Sequence, residues 1–377
     1  MARRAPRTKT IENPAEETLH EPPVALSAVL GQERALRVLS SSLASGRLHH
    51  AWIFHGPSGV GKMTTALAFA GMLLDATTAP GLTGEIAPDP ESDVQRRLAA
   101  GAHPDLHVIV KELAKFSDDK KIRDRKLTSI PLEVVRRRLL EPAALASNLP
   151  GGAASKVFII DEAHLLNTAT QNAVLKTLEE PADGTVLILV TDAEDRLLPT
   201  IRSRCQRVGF APLSDDSMAG WLRGAPEAEG LEPNRAGWLK RYAEGSPGRF
   251  VRAMEAGIDR WEQELAGNII AASRGELEPG FGGAMQKLVD QRATELVAKD
   301  KNASKDAANR AAAAEMFALI AAHARAELSN SAFALGAIDA LRRAERELGA
   351  NVQMQLVFDH LASGLAASGR GADMFVV

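Results

Sequence analysis

The chain has 377 residues, 45% of them hydrophobic and 25% charged, with a formal net charge of -3. That balance predicts a globular protein of two to three domains and excludes a polycation, so any contact with nucleic acid has to come from local patches. The one cysteine, Cys205, excludes an intrachain disulfide and a cysteine-rich zinc site; no apolar run is long enough to span a bilayer, and a reducing cytoplasm is the expected location.

Residues 1–25 are polar, basic at "MARRAPRTKT", and closed by Pro22 and Pro23. They predict a disordered tail, and with no apolar stretch behind the basic start a secretory signal is not expected. "GQERALRVLSSSLASGRL", Gly31 to Leu48, has helical periodicity and stops near Gly46. "HAWIFHG" reads as a buried strand entering a Gly-rich loop, and "TTALAFAGMLL" as the helix behind it. Four further apolar runs read as strands: "DLHVIV" (105–110), "KVFIID" (156–161), "TVLILVTD" (185–192) and "CQRVGF" (205–210). Helical stretches separate most of them, which predicts an α/β fold with a five-stranded parallel sheet covered on both faces. Beyond Pro212 the pattern is helical, broken at "RGAPEAEGLEPN", "GSPGR" and "RGELEPGFGG"; "SKDAANRAAAAEMFALIAAHARAEL" reads as one long helix. The expected division is a tail at 1–25, a P-loop domain at 26–212, a small helical lid at 213–265 and an all-α C-terminal domain at 266–377.

The pattern G-x-x-x-x-G-K runs from Gly56 through Gly59 and Gly61 to Lys62. Glycines let backbone N–H groups turn onto phosphate oxygens at a helix N-terminus, and the lysine reaches the β and γ phosphates. The plainer alternative is a Gly-rich turn. The hydroxyl that normally follows the lysine and binds magnesium is replaced by Met63, whose soft thioether cannot hold a hard cation. Thr64 is rotated about 100° further round the helix and should point away from a metal. "KVFIIDEAH" brings Asp161 and Glu162 to a strand's carboxyl end, where an Asp can hold magnesium and a Glu can orient an attacking water. His164 is expected on a helix surface. From Lys111 to Arg138 there are ten Lys or Arg and five Asp or Glu. A solvated helical face and a phosphate-backbone contact are both open readings of that run.

The stretch "TQNAVLKTLEEPADGTVLILVTDAEDRLLPTIRSRCQRVGF" resembles the clamp-loader branch of the AAA+ ATPases. Its "NAVLKTLEEP" is similar to that branch's signature, and Ser203, Arg204 and Cys205 match its Ser-Arg-Cys motif. The order of P-loop, Asp-Glu strand, Asn-Ala-x-Leu-Lys helix, Thr191-bearing strand and Ser-Arg-Cys agrees across about residues 26–260. Within the branch, "GAHPDLHVI" and "GSPGR" resemble the delta-prime subunits of bacterial DNA polymerase III. Arg249 of "GSPGR" stands one place later than the motor subunits' arginine, and the four-cysteine zinc module is missing from segment 77–100, which should be a loose loop joined to a helix.

The resemblance implies a non-hydrolysing subunit that supports ATP-driven loading of the sliding clamp onto primed DNA. Arg204 would be an arginine finger given in trans to a neighbour's ATP. Gly56, Gly59, Gly61, Lys62, Thr64, Asp161, Glu162, Thr191 and Arg249 would be a degenerate nucleotide site. It implies ATP with magnesium held weakly if at all, no zinc, and a C-terminal collar for assembly with the gamma/tau motor and delta subunits. The clamp and primer-template DNA would be met through the complex, with no membrane. Its own ATPase should be absent or weak, as for an accessory subunit of a DNA-directed DNA polymerase. The rival expectations are a hydrolysing gamma/tau-like motor and a self-contained AAA+ remodelling ATPase.

Overall fold

The computed structural model describes residues 22–81, 84–123, 128–149, 151–299, 304–326 and 331–372, so the expected tail lies, up to residue 21, outside the described residues. The chain divides into two compact units, Met1–Ala211 and Pro212–Val377.

The first unit starts with α1 (Glu33–Ser45), which ends where Gly46 turns left-handed at φ 64°. Then come β1 (Ala51–His55) and α2 (Lys62–Leu74). Next are the short strands β2 (Ala79–Pro80) and β3 (Ile86–Ala87), α3 (Asp93–Ala99) and β4 (Leu106–Ile109). The sheet is completed by β5 (Lys156–Ile160), β6 (Thr185–Thr191) and β7 (Gln206–Gly209). Between them lie α4 (Leu132–Val135), α5 (Thr168–Glu179) and α6 (Pro199–Arg202). The five long strands make one parallel sheet in the order β4-β5-β6-β1-β7, as the apolar runs predict.

Side chains alternate across this sheet. Trp52, Phe54, Val157, Ile159, Val186 and Ile188 pack with α2 on one face. Ile53, Phe158, Ile160, Leu187 and Leu189 pack with α5 on the other. Because both faces of the central strands are covered, β1, β5 and β6 carry continuous rather than alternating apolar sequence.

The basic stretch after β4 is helical, but α4 continues into a π turn at Arg136–Leu140 and then Glu141–Ala143. Pro142 lacks the N–H that a regular helix would give to residue 138, and the wider turn absorbs that loss. Buried Lys156 closes this stretch, its Nζ donating to Pro142 O (2.7 Å) and Leu145 O (2.6 Å). Asp105 of the His-Pro-Asp segment is also fully buried. It accepts from the backbone N–H groups of Asn148 and Leu149, each at 3.0 Å, and so anchors the next loop.

Segment 77–100 is more ordered than the expected loose loop. β2 and β3 pair as an antiparallel ribbon, and α3 is capped by Ser92. Its anchor is buried Asp75, which accepts from Thr77 N (2.9 Å), Thr77 Oγ1 (2.7 Å), Ser92 Oγ (2.5 Å) and Gln95 Nε2 (3.0 Å). Burial alone would raise this carboxyl's pKa, but the hydrogen bonds from Ser92, Thr77 and Gln95 outweigh it and hold the pKa below the usual value. A lowered folded pKa adds stability above the unfolded value and gives it up as pH falls through the folded one. Asp75→Ala strands these donors and is expected to cost about 2–4 kcal/mol near neutral pH. The check is a thermal melt with limited proteolysis at 77–100; a wild-type melt with a resistant segment would refute the anchor.

The second unit is helical throughout its described residues: α7 (Asp215–Gly224), α8 (Pro233–Ala243), α9 (Pro247–Ala256) and α10 (Ile258–Ser273), followed by α11 (Phe281–Lys299), α12 (Lys305–Ala326), α13 (Ser331–Gly349) and α14 (Met354–Ala372). Gly245 bears φ 75°, and a Cβ there would stand 2.3 Å from Leu213 O, so this turn admits only glycine. The expected border at 265 falls inside α10. Ile258, Trp261, Leu265, Ile269 and Ala272 form one buried stripe along it, and the helix runs unbroken past Gly267. One core cluster runs from Leu213 to Ala366, so the lid-like and collar-like helices share a single interior.

Candidate functional site

β1 ends at His55 and the chain turns through Gly56, Gly59 and Gly61, all at positive φ, into α2. A Cβ on Gly56 would lie 2.2 Å from Phe210 O, so the loop needs glycine where it passes the exit of β7. Gln32, whose importance the helical pattern gave no hint of, staples the same place. Its Nε2 donates to Val60 O (3.1 Å) and Ala211 O (2.7 Å), and its Oε1 accepts from Ala211 N (3.2 Å). Lys62 is buried in the loop, with Nζ donating to Gly56 O (2.7 Å) and Pro57 O (2.5 Å). The glycines and lysine fit a phosphate group. The following residues do not fit magnesium. Met63 packs on the apolar core, Thr64 is exposed, and Thr65 is buried with its hydroxyl donating to Gly61 O at 2.7 Å.

Asp161 and Glu162 stand at the carboxyl end of β5. Burial raises the pKa of Asp161, and the neighbouring Glu162 charge adds to this; the Glu162 N–H, at 2.8 Å, and the charges of Lys62 and Lys111 offset it in part. Glu162 takes a left-handed φ of 47°, and its Oε2 is ion-paired with Lys111 Nζ at 2.6 Å. Thr191 is buried at the end of β6, with Oγ1 accepting from Ala193 N at 3.1 Å. His164 is not on a helix surface. It sits in a 3-10 turn, with Nδ1 at 3.3 Å from Thr191 Oγ1 and 3.1 Å from Asp192 Oδ1. His55 Nδ1 lies 3.3 Å from Glu194 Oε2, and Glu194 also pairs with Arg207.

Arg204 lies elsewhere in the unit. It follows α6 and precedes β7, at the amino end of the sheet's edge strand. The strands are parallel and Gln206 is level with Trp52, so Arg204 is about 15–20 Å along the strand direction from the loop after His55. Its Nη1 donates to Thr200 O (3.0 Å) and its Nη2 pairs with Glu179 Oε1 (2.9 Å). Cys205 beside it is half-buried, and burial pushes its thiol up to about 12, so it is inert at neutral pH.

Arg249 belongs to the second unit. There its N–H donates to Ser246 Oγ (3.1 Å), its Nη1 pairs with Glu244 (2.7 Å), and its guanidinium lies over the Tyr242 ring at 4.6 Å. In the basic run Arg136 pairs with Glu133 and Arg137 with Asp118, while Arg125 and Lys126 lie outside the described residues. Among the described residues no group of three or more His, Cys, Asp or Glu could hold a metal ion, and no helix is long and apolar enough to cross a membrane.

A P-loop behind the first strand of a β4-β5-β6-β1-β7 parallel sheet, joined to a helical unit, defines an AAA+ P-loop fold. The family described as "DNA polymerase III, delta subunit" matches residues 31–214. The chain is 34% identical over 249 residues to the DNA polymerase III subunit delta' of Pseudomonas aeruginosa, covering 63% of this chain and 68% of that one. It is 33% identical over 230 residues to subunit gamma/tau of Mycobacterium tuberculosis, covering 60% of this chain and 36% of that one. With the delta' subunit of Bacillus subtilis it shares 31% identity over 182 residues, 48% of each chain. The chain belongs to the clamp-loader family of DNA polymerase III subunits, the family of delta-prime and gamma/tau. It spans about a third of the length of the gamma/tau relatives that it matches.

Proposed function

We propose that this chain is the delta-prime-type member of a clamp loader: it does not turn over ATP itself and lends Arg204 to the ATP site of a neighbouring subunit. The observation that carries the reading is the placement of Arg204. It stands about 15–20 Å from its own phosphate loop, farther than an arginine side chain reaches, so a phosphate that meets it has to belong to another chain. The guanidinium would stabilise charge on the transferring phosphoryl group.

Met63 at the magnesium position and the Lys111–Glu162 pair support the other half of the reading. Gly56, Gly59, Gly61, Lys62, Asp161 and Thr191 then form the remnant of a nucleotide cradle, with Thr64 exposed beside it; Arg249, in the second unit, is assigned to nucleotide only by the resemblance. The partners on this reading are gamma/tau motor and delta subunits, assembled in the cytoplasm through the second unit's helices. The clamp and primed DNA are reached through that complex. A gamma/tau-like motor role conflicts with Met63.

The purified chain is expected to hydrolyse ATP negligibly with magnesium present, and Met63→Thr to gain magnesium-dependent nucleotide binding. Robust turnover by the purified chain, lost in Lys62→Ala, would overturn the reading in favour of the motor.

A further inference from the structure

We propose that Glu179 is the positioning residue for Arg204, holding its guanidinium in place for a neighbour's phosphate; this rests on the finger reading above. The two terminal nitrogens of Arg204 are both engaged within the subunit. Nη1 donates to Thr200 O at 3.0 Å and Nη2 pairs with Glu179 Oε1 at 2.9 Å. Nε makes no hydrogen bond among the described residues. What remains for a ligand is Nε–H and the terminal N–H groups that these two contacts leave. A planar guanidinium with donors to spare suits phosphate oxygens.

The brace comes from a separate element. Glu179 is the last residue of α5, and the negative end of that helix adds to the carboxylate's attraction for the cation. His50 Nε2, 2.9 Å from Leu178 O, ties the same helix end to the residue before β1. Glu179 is therefore mounted on the rigid sheet, while Arg204 sits on the short connection into the edge strand. A long arginine side chain without such a brace has to be ordered at each encounter, and loss of alignment at a reacting phosphate costs rate rather than binding. Both partners are partly exposed, at 38% for Arg204 and 49% for Glu179, so the pair matters little to folding.

The test is ATP hydrolysis by the complete complex reconstituted with Glu179→Gln, Glu179→Asp, Arg204→Ala and the Glu179→Gln/Arg204→Ala double variant. Glu179→Gln should lower kcat about tenfold with KM within about twofold of wild type. Glu179→Asp should recover most of the loss, and Glu179→Gln should cost nothing further where Arg204 is already Ala. Wild-type or raised kcat in Glu179→Gln, beside an impaired Arg204→Ala, overturns the positioning role and leaves the finger standing. An additive loss in the double variant overturns it as well. Full activity in Arg204→Ala removes the finger and the positioning role together.

Discussion

Arg204→Ala in an assembled complex is expected to lower ATP hydrolysis by about three orders of magnitude, while the variant chain melts and assembles as wild type. The size follows from what the group would do: a finger adds a fixed positive charge where negative charge builds up in the transition state, and no water replaces it. The unchanged melt follows from the contacts on view. Arg204 holds one carboxylate and one carbonyl at a partly exposed position, and such pairs contribute about 0–1 kcal/mol. If the arginine were only structural, the ordering would reverse, with a lower melting temperature and hydrolysis lost only in step with assembly. Arg204→Lys is expected to remain impaired, because an ammonium lacks the planar fork. Sizing by chromatography alongside the ATPase assay separates the outcomes, and normal hydrolysis by a fully assembled Arg204→Ala complex refutes the finger.

The Leu335→Glu/Ile338→Glu double substitution is expected to abolish incorporation into the complex while the isolated chain keeps its fold. The two residues are 66% and 39% exposed, one turn apart on α13, whose opposite side buries Phe333, Ala337, Leu341 and Ala344. Leucine and isoleucine presented outward on a helix that already has its own buried stripe are what a collar interface would use. Truncation is a poorer test. A cut near 265 would end the chain inside α10 and remove α12 and α14 from the core they share with it, so loss of assembly would report unfolding. Circular dichroism on the double variant guards the inference, and normal co-elution with partner subunits rejects the collar assignment.

The sheet was legible because its central strands are buried on both faces, which writes β1, β5 and β6 as mostly apolar runs. The P-loop was legible because its three glycines and its lysine fall within seven residues. Ribbon β2–β3 was not: its strands are two residues each, Ala79–Pro80 and Ile86–Ala87, and what orders the segment is hydrogen bonding to Asp75. His164 was misplaced because a polar residue after an Asp-Glu pair reads as surface, whereas the strand end at Thr191 and Asp192 lies beside it. The pairings Lys111–Glu162 and Glu179–Arg204 join residues far apart in sequence. Each charge taken alone looks like an ordinary solvated side chain, so only the folded chain shows them as ion pairs.

The strand order carries a consequence for how the chain is made. β1 is flanked by β6 and β7, so this hydrophobic strand, made before both, has no sheet partner until Thr185–Thr191 and Gln206–Gly209 follow. At cellular elongation rates that wait is on the order of ten to thirty seconds. Throughout it Trp52 and Phe54 can meet Phe69 of α2, but the strand lacks β6 and β7 on both of its edges. Gln32 gains its hydrogen bonds to Ala211 only when that residue arrives, which places closure of the loop near the end of the first unit's synthesis. Newborn chains of this protein therefore pass through a prolonged stage in which an aromatic strand is open to chaperones and to one another.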